Sequence, residues 1–144
     1  MRRILFATDF SKASRKAFTT AVKAAKSSRA SLSVVHVLAP FVPIAPDQYI
    51  GPETWDAIDE QSRRWATKHL KALAGRARDA GVRVKWFLVE GNPSREVTKV
   101  ARKVHADLLI IGTHGRTGFA KLFLGSVASQ IVATSKCPVM TVRG

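Results

Sequence analysis

The chain is short of cysteine, of long apolar runs and of acid, and each shortage excludes something. Cys137 is the single cysteine in 144 residues, so no internal disulfide can form, and the composition suits a reducing compartment. As a small hydrophobe, Cys137 is expected to be buried. The four histidines show no metal-ligand spacing with one another or with Cys137, which argues against a dedicated His/Cys metal centre. No apolar run approaches the roughly 20 residues that span a bilayer. The opening MRRILFATDF starts basic, yet its apolar stretch is too short for a secretory signal and no cleavage site follows. These absences lead to the expectation of a cytoplasmic protein with no membrane partner.

The scarcity of acid leaves a large positive charge. There are 24 Lys and Arg against 10 Asp and Glu, a formal net charge of +14. Such a balance favours polyanionic partners, nucleotides or nucleic acid, and says nothing about fold. The distribution is uneven. Five of the ten acids (Asp47, Glu53, Asp56, Asp59, Glu60) share one short segment, and no acid follows Asp107. The Lys and Arg of the first three helical segments are expected on solvated faces.

Apolar periodicity divides the chain into alternating elements. Residues 2–8, 31–38, 82–90, 106–112 and 138–143 read as strands. The fourth, ADLLIIG, is apolar enough to be buried on both faces. Residues 11–28 carry apolar side chains at 17, 18, 21, 22 and 25, one face of a helix, with Ser11 as N-cap. A second helix is expected from near Thr54 to Ala80, with Ala66, Leu70, Leu73, Ala74 and Ala77 at helical spacing and Gly81 as terminator. A third, at 91–104, opens with Asn92 as cap and Pro93 at the first helical position, and a fourth covers 126–135. Residues 39–52 hold four prolines and a glycine and read as an irregular loop. The alternation β-α-β-α-β-α-β-α-β gives an α/β fold with a doubly wound five-stranded parallel sheet, helices on both faces, and one domain over 1–144.

Glycine marks the candidate site. The stretch IIGTHGRTGFAKLFLGSV places Gly112, Gly115 and Gly118 three apart after the fourth strand, and Gly125 before Ser126 and a helix start. In open α/β sheets ligands bind outside the carboxyl ends of the strands, where strand order reverses. Asp9 and Gly112 both fall at such ends. Gly112 and Gly115 are expected to allow a tight turn with exposed amides. The helix starting at Ser126 offers unpaired N–H groups and the positive end of a dipole, a phosphate site. The G-x-x-x-x-G-K-[ST] order and the G-x-G-x-x-G fingerprint are both absent.

Taken together, ATDFS at 7–11, VVHV at 34–37 and GTHGRTGFAKLFLGSV at 112–127 resemble the universal stress protein family over essentially the whole chain. The last stretch matches the family's G-x2-G-x9-G-[S/T] signature at Gly112, Gly115, Gly125 and Ser126, which marks its ATP-binding branch. The resemblance implies an adenine nucleotide alpha hydrolase-like sheet of strand order 3-2-1-4-5. It places Ala7, Thr8 and Asp9 beside the adenosine and Val37 at the adenine. Ile111 and Gly112 would lie against the nucleotide, and Thr113 and His114 join them as candidates from their position beside the motif glycines, with a surface position the alternative for His114. Gly115, Gly125, Ser126 and Val127 would cradle the phosphates. Arg116 and Lys121 fall in the x9 stretch that the signature leaves free, and are expected either to screen phosphate charge or to be solvated surface. ATP would carry Mg²⁺ (or Mn²⁺) held mainly by phosphates and water. A homodimer through strand 138–143 is also implied, since an apolar edge strand invites pairing.

The remaining candidates read as structure. Trp65 and Trp86 are expected in the core, and Trp55 is a possible interface residue. His36 is expected to face the packing of the sheet, and His69 and His105 show no pairing. Asp9 is the one carboxylate placed on the binding edge, so no catalytic residue is assigned and turnover, if any, should be slow. The favoured reading is an ATP-binding, dimeric regulatory module. The alternatives are a basic nucleic-acid binder, with weak nonspecific affinity that falls as salt rises, and a slow ATPase or phosphotransferase.

Overall fold

The computed structural model describes residues 1–40, 49–114 and 124–144. In chain order the elements are β1 (Arg3–Ala7), α1 (Lys12–Ser28), β2 (Ser31–Leu38), α2 (Pro52–Asp79), β3 (Val84–Glu90), α3 (Pro93–Lys103), β4 (Leu108–Gly112), α4 (Ser126–Thr134) and β5 (Val139–Val142). All four strand pairings are parallel, and the sheet runs β3-β2-β1-β4-β5. The strand order is the expected one. It follows from right-handed crossovers that fill both faces of a sheet whose inner strands are apolar on both sides.

The period-two alternation of the strands sorts the core into two layers. Ile4 and Phe6, Leu32 and Val34, and Leu108 and Ile110 point to one face, under Ala17, Phe18, Ala21 and Ala25 of α1 and Leu70 and Ala77 of α2. Leu5, Val35 and Val37, and Leu109 and Ile111 point to the other, under Val97, Val100 and Ala101 of α3 and Ala128 and Ile131 of α4. Full burial of a side chain such as Ile4 or Phe6 stabilises by roughly 1.5–3 kcal/mol. Small residues on α1 let its backbone lie close to the sheet. Trp86 is half-buried against the first layer, and Cys137 is half-buried, not fully buried as its type suggested, against the second.

Helix α2 differs from the others. Its buried residues, Ala66, Leu70, Ala74 and Ala77, all lie in its second half. The first half stands beyond the core, over the carboxyl ends of the strands. Arg63 ties it down there, bonding Asp59 on its own helix at 3.0 Å and pairing with Glu90 at the end of β3. Its guanidinium is held above its ordinary pKa, first by the Asp59 hydrogen bond.

Three helices end in the same motif. Val82 N–H reaches Ala77 O at 3.0 Å and Gly81 N–H reaches Arg78 O at 2.8 Å, with Gly81 at φ 83°, a Schellman closure. Helix α1 repeats the pattern with Arg29 (φ 54°) in the left-handed position, and α3 repeats it with His105 (φ 51°). A side chain there strains the backbone, and glycine would not. Arg29→Gly and His105→Gly should each raise stability by about 0.5–1 kcal/mol, read as a midpoint rise of roughly 2–4 °C in thermal melts.

Asp107 fixes the start of the central β1–β4 pair. Its Oδ2 accepts the backbone N–H of Arg2 at 2.7 Å and of Arg3 at 2.9 Å, and its own N–H donates to Arg3 O at 2.8 Å. Those two amides, Arg2 first, hold the carboxyl below its ordinary value. A depressed folded pKa contributes stability that is complete above the unfolded value of about 3.9. That stability is lost as pH falls through the folded value. In urea melts Asp107→Asn should be less stable than wild type at pH 7, and the gap should close as the pH drops toward about 3.

Candidate functional site

At the tips of β1 and β4 the chain leaves in opposite directions. Helix α1 covers the first face, whereas α4 covers the second. Divergence at a switch point opens a crevice, here a cleft of ≈ 770 Å³.

The floor of the cleft is the junction from β1 to α1. Thr8 N–H continues the sheet to Val35 O at 2.9 Å, and Thr8 Oγ1 and Ser14 Oγ share a hydrogen bond of 2.6 Å. Thr8 Oγ1 also accepts Phe10 N–H at 2.9 Å, which holds Phe10 at φ 62°. Asp9 Oδ1 accepts Ser11 N–H at 2.9 Å, and Ser11 Oγ caps α1 by accepting Ser14 N–H at 3.3 Å. Asp9 therefore shapes the turn while Ser11 caps the helix. His36, buried on β2, donates from Nδ1 to Thr8 O at 2.8 Å, which fixes its tautomer.

The second wall comes from β4 and α4. Thr113 N–H donates to Val142 O at 3.0 Å, and Thr113 O accepts Gly125 N–H at 2.7 Å. Thr113 Oγ1 bonds His114 Nδ1 at 2.8 Å, and Ser11 Oγ donates to His114 O at 3.5 Å. Gly125 is the N-cap of α4 and supplies no side-chain cap; the helical ladder starts at Ser129 N–H to Gly125 O, 2.9 Å. The amides of Ser126, Val127 and Ala128 precede that ladder and sit at the positive end of the dipole. The first turn of α4 contains no acid.

Eleven of the expected site residues line this cleft: Ala7, Thr8, Asp9, Val37, Ile111, Gly112, Thr113, His114, Gly125, Ser126 and Val127. Gly115, Arg116 and Lys121 lie outside the described residues, as does 41–48 of the expected irregular loop. Two glycines act differently from expectation. Gly112 ends β4 in register with Val142 and does not make a positive-φ turn. A Cβ there would meet Ala13 C and Ser14 N at 3.2 Å, so its bareness admits the first turn of α1. The Gly125 amide is spent on Thr113 O.

A third wall of the cleft was not expected. Ile58, Gln61, Ser62 and Trp65 on the first half of α2 also line the cleft, at the i, i+3, i+4, i+7 spacing of one helix face. Trp65 is not in the core. It is 42% exposed, because it lies before the point at which α2 meets the sheet. His69, expected to be unpaired, stacks on it with ring centroids 4.0 Å apart. The four-residue spacing from Trp65 to His69 was the available signal. Among the described residues lining the cleft, Asp9 is the sole carboxylate and none is Lys or Arg. No three His, Cys, Asp or Glu among the described residues come together to hold a metal.

The sheet order and the cleft at its β1–β4 tip define an adenine nucleotide alpha hydrolase-like α/β fold. The chain belongs to the universal stress protein family, whose family model matches residues 1–143. It is 31% identical over 144 residues to universal stress protein MJ0531 of Methanocaldococcus jannaschii, covering 99% of this chain and 82% of that one. Among solved structures it is similar to the MJ0577 protein, at 27% identity and TM-score 0.83, covering 99% of this chain and 96% of the other. It is also similar to a universal stress protein in complex with cAMP, at 26% identity and TM-score 0.71, covering 99% and 96%. No helix among the described residues is long and apolar enough to cross a membrane.

The packing at Gly112 is testable. Gly112→Ala should cost about 1–3 kcal/mol, as overpacking against backbone does, and should lower the chemical-denaturation midpoint with little change in slope.

Proposed function

We propose that residues 1–144 form an ATP-binding regulatory domain that acts as a dimer and turns over little or no nucleotide. The observation that carries this reading is the amino terminus of α4, which opens into the cleft with no side-chain cap and no acid in its first turn. That arrangement suits a polyphosphate, because the amides of Ser126 and Val127 can donate to it and the dipole favours negative charge. Ser126 adds a hydroxyl. Ala7, Thr8, Asp9 and Val37 are suited to the adenosine. The universal stress protein solved with cAMP supports an adenine nucleotide as the ligand class. Mg²⁺ or Mn²⁺, when bound, would neutralise phosphate charge and be held mainly by the phosphates and water.

The side chains described at the cleft support slow turnover. Hydrolysis needs a positioned water and a base or a transition-state cation. Asp9 already accepts Ser11 N–H, and among the described lining residues no second carboxylate stands near it. Nucleotide binding would therefore act by shifting conformational populations or partners. Strand β5 lies at the sheet edge with Met140 40% exposed, and Val132 of α4 is 50% exposed. This apolar edge suits pairing with a second copy, and sedimentation at the mass of two chains tests it. The high charge also supports weak nonspecific binding of nucleic acid, which rising salt should abolish.

Saturating Mg-ATP, at about 100 times its Kd, should add ~2.7 kcal/mol and raise the melting midpoint by very roughly 5–10 °C. Ser126→Asp separates binding from folding. A carboxylate in the first turn favours α4 by about 0.3–1 kcal/mol, so the apo variant should melt at or above wild type. The same carboxylate repels phosphate, so the ATP shift should vanish. Absence of any shift with wild type and an adenine nucleotide would sink the reading.

A further inference from the structure

Four rings converge where the cleft opens to solvent, and they are arranged in an order that burial alone does not explain. His36 of β2 is buried. Phe10, half-buried, packs on it with ring centroids 4.6 Å apart. Phe10 also meets the Trp65 indole edge-on, at 5.1 Å and 88°, and His69 at 5.5 Å. His69 lies along the indole at 4.0 Å and 26°, and its Nδ1 donates to Trp65 O at 2.7 Å. The smaller rings thus brace the largest one from behind and beside. The largest stays 42% exposed on the wall of the cleft.

A cluster formed only to bury apolar surface would take the indole inside first, since Trp carries the largest apolar area. Here the chain instead holds Phe10 in a left-handed conformation, with its N–H bonded to Thr8 Oγ1. That places the Phe10 ring beneath Trp65. Backbone strain held by a hydrogen bond at the edge of a ligand cleft points from geometry to function. Trp65 shares the cleft with Val37, while Ser126 and Val127 line its other wall. A braced aromatic surface in one part of a cleft and a helix amino terminus in another match the two ends of a nucleotide, base and phosphates.

We propose that Trp65 is the base-recognition residue of this cleft, a braced platform against which the base of the bound nucleotide stacks, selecting the larger purine over a pyrimidine. Phe10 and His69 are positioning residues that act through it. The inference rests on the nucleotide reading above, and adds the residue that reads the base.

Isothermal titration of wild type, Trp65→Ala and Trp65→Phe with ATP, UTP and inorganic tripolyphosphate, each with Mg²⁺, tests it. Circular dichroism melts of the same samples confirm folding. Wild type should bind ATP more tightly than UTP. Trp65→Ala should lose roughly ten- to a hundredfold in ATP affinity, the range of one base–aromatic stack. Its ATP-to-UTP ratio should fall toward one. Tripolyphosphate, which has no base, should bind wild type and Trp65→Ala alike, and Trp65→Phe should retain most of the ATP affinity. If Trp65→Ala binds ATP as wild type does, the platform is refuted and the nucleotide reading stands. Equal loss for ATP and tripolyphosphate makes Trp65 a scaffold residue and also refutes it. If wild type binds neither ATP nor tripolyphosphate, the nucleotide reading fails and the platform falls with it.

Discussion

The turn from β1 into α1 is the constraint to which the rest of the site is referred. Within a few residues it must end a central strand, reverse toward one face of the sheet and start a helix. Thr8 does most of this. Its hydroxyl bonds Ser14 and accepts Phe10 N–H, and its carbonyl accepts His36 Nδ1. Asp9 and Ser11 complete the turn and cap the helix. The first turn of α1 then lies so close to the tip of β4 that position 112 has no room for a side chain without movement of the Ala13–Ser14 backbone. A floor pinned in this way defines where a ligand could rest and which side chains look into it.

Charge in this protein is divided between surface and cleft. The formal charge is +14, and the described Lys and Arg are exposed apart from the half-buried Arg63. There they attract polyanions over a Debye length and lose effect as salt rises. Some of those cations also pack: Arg76 lies over the Phe18 ring and Lys103 over Phe87. Among the described residues the cleft itself contains no Lys or Arg, and the positive potential those residues offer there is that of the backbone dipoles at the start of α4. Such dipoles are fixed by the fold and need no side chain to be ordered when a ligand arrives. Long-range steering and short-range fit are thereby separate properties, and surface substitutions can alter the first without touching the second.

Helix α2 has two halves with different work. The second half is held by burial against the sheet, while the first is held by the Arg63 ion pairs and the ring cluster around Phe10. Exposed ion pairs contribute little, with a typical range of about 0–1 kcal/mol, so the rings supply the more specific hold. That half carries one wall of the cleft.

The alternating apolar pattern by itself determined the element order and the burial of both sheet faces, because period two and period 3.6 are local properties of the chain. Asn92 as cap, Pro93 at the first turn and Gly81 at a helix end were equally local and therefore readable. The glycines located the site but not their own roles. Gly112 is bare because α1 passes over it, and the Gly125 amide is taken by Thr113, both facts of contact between segments about a hundred and a dozen residues apart. Trp65 sits within an apolar helical pattern that looks like core; whether it is covered depends on where α2 overruns the sheet. Tertiary structure alone decided these points, since the neighbours that give each residue its role come from parts of the chain that sequence spacing does not bring together.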